Sequence, residues 1–501
     1  MRTKIEAGWL VGHENGRHIL IRDGELVYEG NRIVFVGAGF EGSVDRVIDA
    51  SGRLVCPGFI DTHVHSGHRA SHRLIADAGR PMYFGQPFLE ISVPREGATV
   101  SGDPRYLKHG DAGAEAAFQL NAAFTVAELL RNGVTTFVEF GSQLKVQDAL
   151  HKEVSRLGTR AYLAPGYDCG RWVGDERGRL KRTRDDRLGF DGLETALDWI
   201  AQHDGDAEGR IRGILVPREV ETASVELLRR TREEADRARL PMATHAAYSV
   251  LEFHEIVREH MMTPIELLDS IGMLRPTLNI GHGNFIADNP NMNYAKPQDL
   301  RLMGEAGVSI SHCPINIVRR GRTLDSWKRY REAGVNITIG SDTYPRDMIM
   351  NMRTASYLGK LMSHSYLAAT AGEAFEAATL GGAVSLGRDD LGRLEAGALA
   401  DIVIIDMGGR NSLRYGPVRD AVKSVVECGV GDDVDTVIVD GVVRMENGVI
   451  PGVDVGKLMA DAQASGEAVW ESLPDWDPLG RSAEEACPWC YPERRFECAP
   501  T

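Results

Sequence analysis

The spacing of apolar residues changes character along the chain. Up to about residue 56, apolar positions alternate in short runs broken by glycine, as in "HILIRDGELVYEG", "RIVFVGAG" and "RVIDASGRLV". This texture predicts an all-β segment with tight turns. It returns after Ala396 in "ADIVIIDM" and "DTVIVDGVVRMENGVI". The economical arrangement is one small β-sandwich built from both ends of the chain.

Between these ends, apolar runs alternate with helical patterns. Strands are predicted at 57–62, 135–140, 160–165, 211–217, 241–246, 277–282, 308–313 and 335–342. Helices separate most of them. Ser224, for example, precedes "VELLRRTREEADRARL", whose Leu227, Leu228, Ala235 and Ala238 are expected on the inner face. Apolar strands alternating with helices predict an α/β fold, a (β/α)8 TIM barrel. The expected division is a first sandwich part at 1–56, a barrel at 57–390 and a second sandwich part at 391–455. A helix followed by a Trp-, Cys- and Pro-rich arm then fills 456–501. Trp470, Trp476 and Trp489 argue that this arm packs, because three indoles are costly to leave in water.

Composition narrows the function. A hydrophobic content of 43% and a charged content of 26% are those of a globular protein. The net charge of −15, without a long basic run, argues against nucleic acid as a partner. No stretch approaches 18 uninterrupted apolar residues, so no membrane span is expected. The N-terminal residues lack the apolar core of a signal peptide. The 7 cysteines are scattered and odd in number. They are expected to be reduced thiols, in a cytoplasmic protein.

Candidate chemistry lies where the barrel strands end. "PGFIDTHVH" runs apolar and then delivers His63 and His65. Alternation sends these two to one strand face and Thr62 and Val64 to the other. Paired imidazoles on one face suit a bound metal. Strand 5 ends at His245, strand 6 at His282, strand 7 at His312 and strand 8 at Asp342. Barrel enzymes place their chemistry at these C-terminal strand ends.

"PGFIDTHVH", with the later "THA", "GHG", "SHCP" and "GSD", resembles the amidohydrolase superfamily, in the branch of s-triazine hydrolases and cytosine-type deaminases. The resemblance covers nearly the whole chain. It implies that His63, His65, His245 and Asp342 hold one divalent metal, zinc first, with iron, cobalt or manganese also suited. Such a metal lowers the pKa of a bound water toward about 7. The resemblance also implies that Asp342 moves the proton from that water to the leaving nitrogen, and that His282 meets the metal or the developing oxyanion. His312 and Tyr248 are expected to face substrate. A homo-oligomer acting on a small molecule is expected by the same resemblance.

Two departures shape the expected reaction. The branch usually carries a glutamate three residues after the strand-5 histidine, which protonates a ring nitrogen. "HAAYSVLE" places Tyr248 there, and Glu252 and Glu255 follow on a helix expected to carry them away. Strand 4, "ILVPREVE", has no lysine to bridge two metals. The first expectation is therefore hydrolysis of a urea, amide or carbamate carbonyl. The long insertion after strand 1 likewise resembles phenylurea and thiocarbamate herbicide hydrolases. The alternative is an aminohydrolase or dechlorinase acting on a heteroaromatic ring.

Overall fold

The computed structural model describes residues 1–66, 73–74, 93–97 and 111–492. Most of the insertion after strand 1, including His68 and His72, lies outside them, as does Cys498. The N-terminal strands are β1 (Arg2–Glu14), β2 (Arg17–Glu29), β3 (Arg32–Gly37) and β4 (Arg46–Pro57). The central strands begin with β5 (Phe59–Val64), β6 (Val134–Glu139) and β7 (Arg160–Leu163). A hairpin follows, β8 (Trp172–Gly174) and β9 (Leu180–Arg182). Then come β10 (Ile211–Gly213), β11 (Met242–Ala246), β12 (Leu278–His282), β13 (Ser309–His312) and β14 (Asn336–Ile339). The last strands are β15 (Ile402–Asp406), β16 (Val434–Val439) and β17 (Val442–Met445).

Every central stretch predicted as a strand contains one. The eight lie in two parallel four-stranded sheets, ordered β10-β7-β6-β5 and β11-β12-β13-β14. Isolated bridges Leu215–Met242 and Glu219–His245 join them along one seam, and Val64–Asp342 along the other. β10 is shorter than the expected 211–217. Beyond Gly213 only isolated bridges continue, and Pro217 has no N–H to extend a ladder. The hairpin β8–β9 was not anticipated.

Apolar residues from the strands and helices fill the layer between them, among them Phe59, Phe137, Met242, Leu278 and Ile337. The helix Val225–Ala238 shows how the sequence builds that layer. Ser224 caps it by accepting from the Leu227 amide, and Leu227, Leu228 and Ala235 are buried. Ala238, expected inward, is exposed; Thr231 and Glu234 complete the inner face instead. Inside the strands the Thr62 hydroxyl reaches Ser311 (2.7 Å) and Thr338 (2.6 Å), and Ser311 donates to Asn279 (2.9 Å). This polar layer underlies the histidines. Strict alternation fails here: β5 slips register against β6 between Asp61 and Val64, so Thr62 enters the polar layer while Val64 joins the outer apolar one.

Strands from the two chain ends, expected as a small β-sandwich, pair instead in one continuous seven-stranded sheet ordered β17-β16-β15-β4-β1-β2-β3. β4 pairs in parallel with β1 and antiparallel with β15. In the C-terminal arm, Trp476 is buried with Leu473 and Ala486, whereas Trp489 is 64% exposed, contrary to the expectation that all three tryptophans pack. The described cysteines are all free thiols. Among the described residues, no helix is long and apolar enough to cross a membrane.

Candidate metal-dependent active site

His63 Nε2 lies 3.1 Å from His65 Nε2, which lies 3.2 Å from His245 Nε2. Asp342 places Oδ1 3.6 Å from His65 Nε2 and Oδ2 3.5 Å from His282 Nε2. The donor atoms of His63, His245 and His282 fall within 4.8 Å of one another, and so do those of His63, His65 and Asp342. All five residues sit at the C-terminal ends of β5, β11, β12 and β14, which is where the sequence placed them.

Local backbone makes this convergence possible. A Cβ on Gly281 would stand 2.8 Å from His63 Cε1, and one on Gly340 would stand 2.6 Å from His63 Cβ. Only glycine leaves room for that imidazole. The ring stacks on Phe140, centroids 3.7 Å apart. His282 and Asp342 carry positive φ of 82° and 60°. Left-handed backbone at residues other than glycine costs about 1–3 kcal/mol each and concentrates at functional sites.

The chemistry of the donor set fits a divalent cation. Burial holds the His63, His282 and His245 imidazoles below their usual range, so they stay neutral at pH 7. The Nδ1–H of His245 donates to the Arg218 carbonyl (2.8 Å), which leaves Nε2 as a lone pair facing the cluster. Neutral imidazoles and a carboxylate around one point are zinc-type ligands. Burial raises the Asp342 carboxyl, and the Arg320 guanidinium opposes that rise. Asn316 Nδ2 donates to Asp342 Oδ2, and Asn316 Oδ1 accepts from Thr343 (3.0 Å) and Arg320 (3.4 Å). In "HCPINIVRR" Asn316 follows the end of strand 7 by about one helical turn, which brings it back to Asp342.

His312 is buried at the end of β13, and burial lowers its pKa to about 4. It belongs to none of the ligand groups among the described residues. Its ring lies edge-on to Trp327, 6.2 Å away.

Tyr248 stands beside the ligands, its ring 5.9 Å from that of His245. Its hydroxyl donates to Glu221 Oε1, which also accepts from the Trp172 indole (3.2 Å). Glu221 is buried, and its Oε2 has no hydrogen-bond partner. Burial, with Glu219 nearby, pushes this carboxyl up to about 7. In "ILVPREVE" Glu221 follows Glu219 by two residues, and that spacing is the signal the sequence offers for it. Asp168 pairs with Arg218 (3.1 Å). Glu252 accepts from the Ala247 and Tyr248 amides (2.8 Å each). It is therefore committed to capping its helix.

The amidohydrolase family model matches residues 54–444. A 5-methylthioadenosine/S-adenosylhomocysteine deaminase of Thermococcus sibiricus is 28% identical over 449 residues, covering 89% of this chain and 94% of the relative. An adenosine deaminase from Xanthomonas campestris, solved with bound zinc, superposes with a TM-score of 0.75 at 20% identity, over 93% of this chain and 98% of that one. The atrazine chlorohydrolase of Arthrobacter aurescens TC1, complexed with zinc, also gives 0.75, at 23% identity, over 93% and 100%. These two solved structures share the fold. The chain is a hydrolase of C–N bonds other than peptide bonds, and it belongs to the amidohydrolase family.

Proposed function

We propose that this chain is a metal-dependent aminohydrolase that releases ammonia from a heteroaromatic ring, with adenosine-type purines as the first substrate class. The observation that carries this reading is the Tyr248–Glu221 contact. The sequence argued against ring chemistry because Tyr248 occupies the usual place of an acid. Glu221, arriving from the end of the fourth central strand, returns a carboxyl to that place, and its raised pKa keeps a proton available near neutral pH. The deaminase activity named for the Thermococcus relative supports the same class.

On this reading His63, His65, His245 and Asp342 hold a single ion. When bound, that ion polarises water and lowers its pKa toward about 7. Asp342 accepts the proton from the attacking water and passes it to the departing amine. His282 donates a hydrogen bond to the oxygen that enters the ring. The Tyr248–Glu221 pair supplies the proton taken up by the ring nitrogen, and His312 lines the substrate side. The domain division at 56, 390 and 455 belongs to the same proposal, as do a homo-oligomeric assembly and a cytoplasmic setting, in keeping with the free thiols.

The test is product analysis with purified enzyme. Ammonia release from 5'-methylthioadenosine, adenosine, guanine or an aminotriazine is expected. The second reading, carbonyl hydrolysis of a urea or carbamate, is favoured by the hydroxyl that Tyr248 presents in place of a carboxylate. Amine release from N-aryl ureas or thiocarbamates, without ammonia from any ring, would replace the first reading with the second.

A further inference from the structure

A separate cluster lies on the outer helices. His151 sits on the helix Leu144–Leu157, His203 ends the helix Asp186–His203, and Asp206 opens the turn that follows. His151 Nε2 is 2.8 Å from Asp206 Oδ2, and His203 Nδ1 is 3.0 Å from the same oxygen. The two imidazoles lie 4.5 Å apart, centroid to centroid. Together these residues offer three ligand atoms within 4.8 Å of one another. The two histidines open onto a cavity of about 260 Å³.

We infer that His151, His203 and Asp206 form a second metal site, outside the barrel, that takes one divalent transition cation of the zinc class. Three arguments support it. The donor spacing is right: ligands at about 2.0–2.2 Å from one ion stand roughly 2.9–3.4 Å apart, so small rotations of the side chains suffice. The donor types are right, since two imidazoles and a carboxylate suit zinc, nickel or copper rather than calcium or magnesium. The frame is also prepared. The Trp199 indole donates to Asp148 (3.1 Å) and its ring flanks His203 at 4.7 Å, which fixes one helix against the other. Lys145 and Lys152 border the cavity, and Glu115 and Asp148 offset their charge. The cavity leaves space for water or an exogenous ligand to complete the coordination. A bound ion would clamp the helix Leu144–Leu157 to the turn that leads into β10.

This site shares no residue with the barrel cluster, so it is tested apart from the catalytic reading. Full-length protein, dialysed against zinc and then against buffer, is assayed for metal per chain. Wild type is expected to hold about one equivalent more than His203→Ala. Asp206→Asn should show the same deficit, and His151→Gln, which keeps a side-chain N–H for Asp206, guards against loss of fold. Cobalt loading should give ligand-field bands that the variants lack in part. Equal metal content and equal cobalt spectra in wild type and all three variants would overturn the inference.

Discussion

The main-chain N–H of Asp342 donates to the carbonyl of His63 at 2.7 Å. The N–H of His65 returns the bond to the carbonyl of Asp342 at 2.8 Å. The first and last central strands are thus joined through the backbone of residues whose side chains also converge. Ligand spacing therefore depends on main-chain bonds that side-chain substitution leaves in place.

Asp342→Asn isolates the carboxylate from that backbone seam. The fold should survive, with near-wild-type circular dichroism. Turnover should fall by roughly 10²–10⁴-fold, the range for loss of a positioned acid–base group, and bound metal should drop. Steady-state ammonia release and metal analysis on one preparation check both. Undiminished turnover would remove Asp342 from the reaction.

Chelation should abolish activity, and zinc should restore it. An ion that binds only the folded state stabilises it by about 2.7 kcal/mol at a hundredfold excess over its Kd. Melting temperature should therefore rise with zinc in wild type and rise less in His63→Ala, as read by calorimetry.

Glu221 predicts a pH profile. Burial raises its carboxyl from the ordinary 4.5 to about 7, and on the proposed reading the protonated form is the donor. Turnover should fall as pH rises through about 7. Glu221→Gln should lose this limb and slow turnover roughly 10²-fold. Tyr248→Phe should act in the same direction, and the double variant should be little worse than either single one. An unchanged profile in Glu221→Gln would sink the assignment.

Arg346 predicts a stability loss. Its fully buried guanidinium pairs with Glu128 (2.8 Å) and donates to the His65 carbonyl (2.8 Å). Arg346→Met takes the guanidinium away from the Glu128 carboxylate and from the His65 carbonyl beside the candidate ligands. A loss of about 3–5 kcal/mol is expected in urea unfolding, together with weaker metal retention.

His18 predicts how stability changes with pH. Its imidazole packs edge-on against Phe375 and bonds Thr379 (2.9 Å). Burial lowers its pKa to about 4, against 6.5 when free. The unfolded chain then binds more protons between these values, so stability is full above pH 6.5 and falls as pH drops toward 4. Roughly 2 kcal/mol should be lost by pH 5. Unfolding of wild type and His18→Gln at pH 8 and pH 5 measures the difference.

Much of the site was legible because its residues end apolar strands. His63, His65, His245, His282 and Asp342 each close a run that periodicity alone marks, and the α/β alternation places those ends together. Glu221 and Asn316 were not legible, because each leaves the strand ladder and reaches its partner through a loop or a short helix. The partner of Tyr248 depends on how residues 214–221 turn after β10 stops, and no period encodes that turn. Likewise, periodicity brought the two chain ends together but did not show that they form a continuous sheet.

That sheet has a consequence for synthesis. β4 lies between β1 and β15, and the ribosome makes β15 only after all the central strands. Until then the nascent chain carries β4 with one side unpaired, a ready template for a stray strand. A chain stopped between Asp342 and Ile402 would keep His63, His65, His245 and Asp342 yet present that bare edge. Such a product should self-associate, and chaperone demand should peak late in translation rather than early.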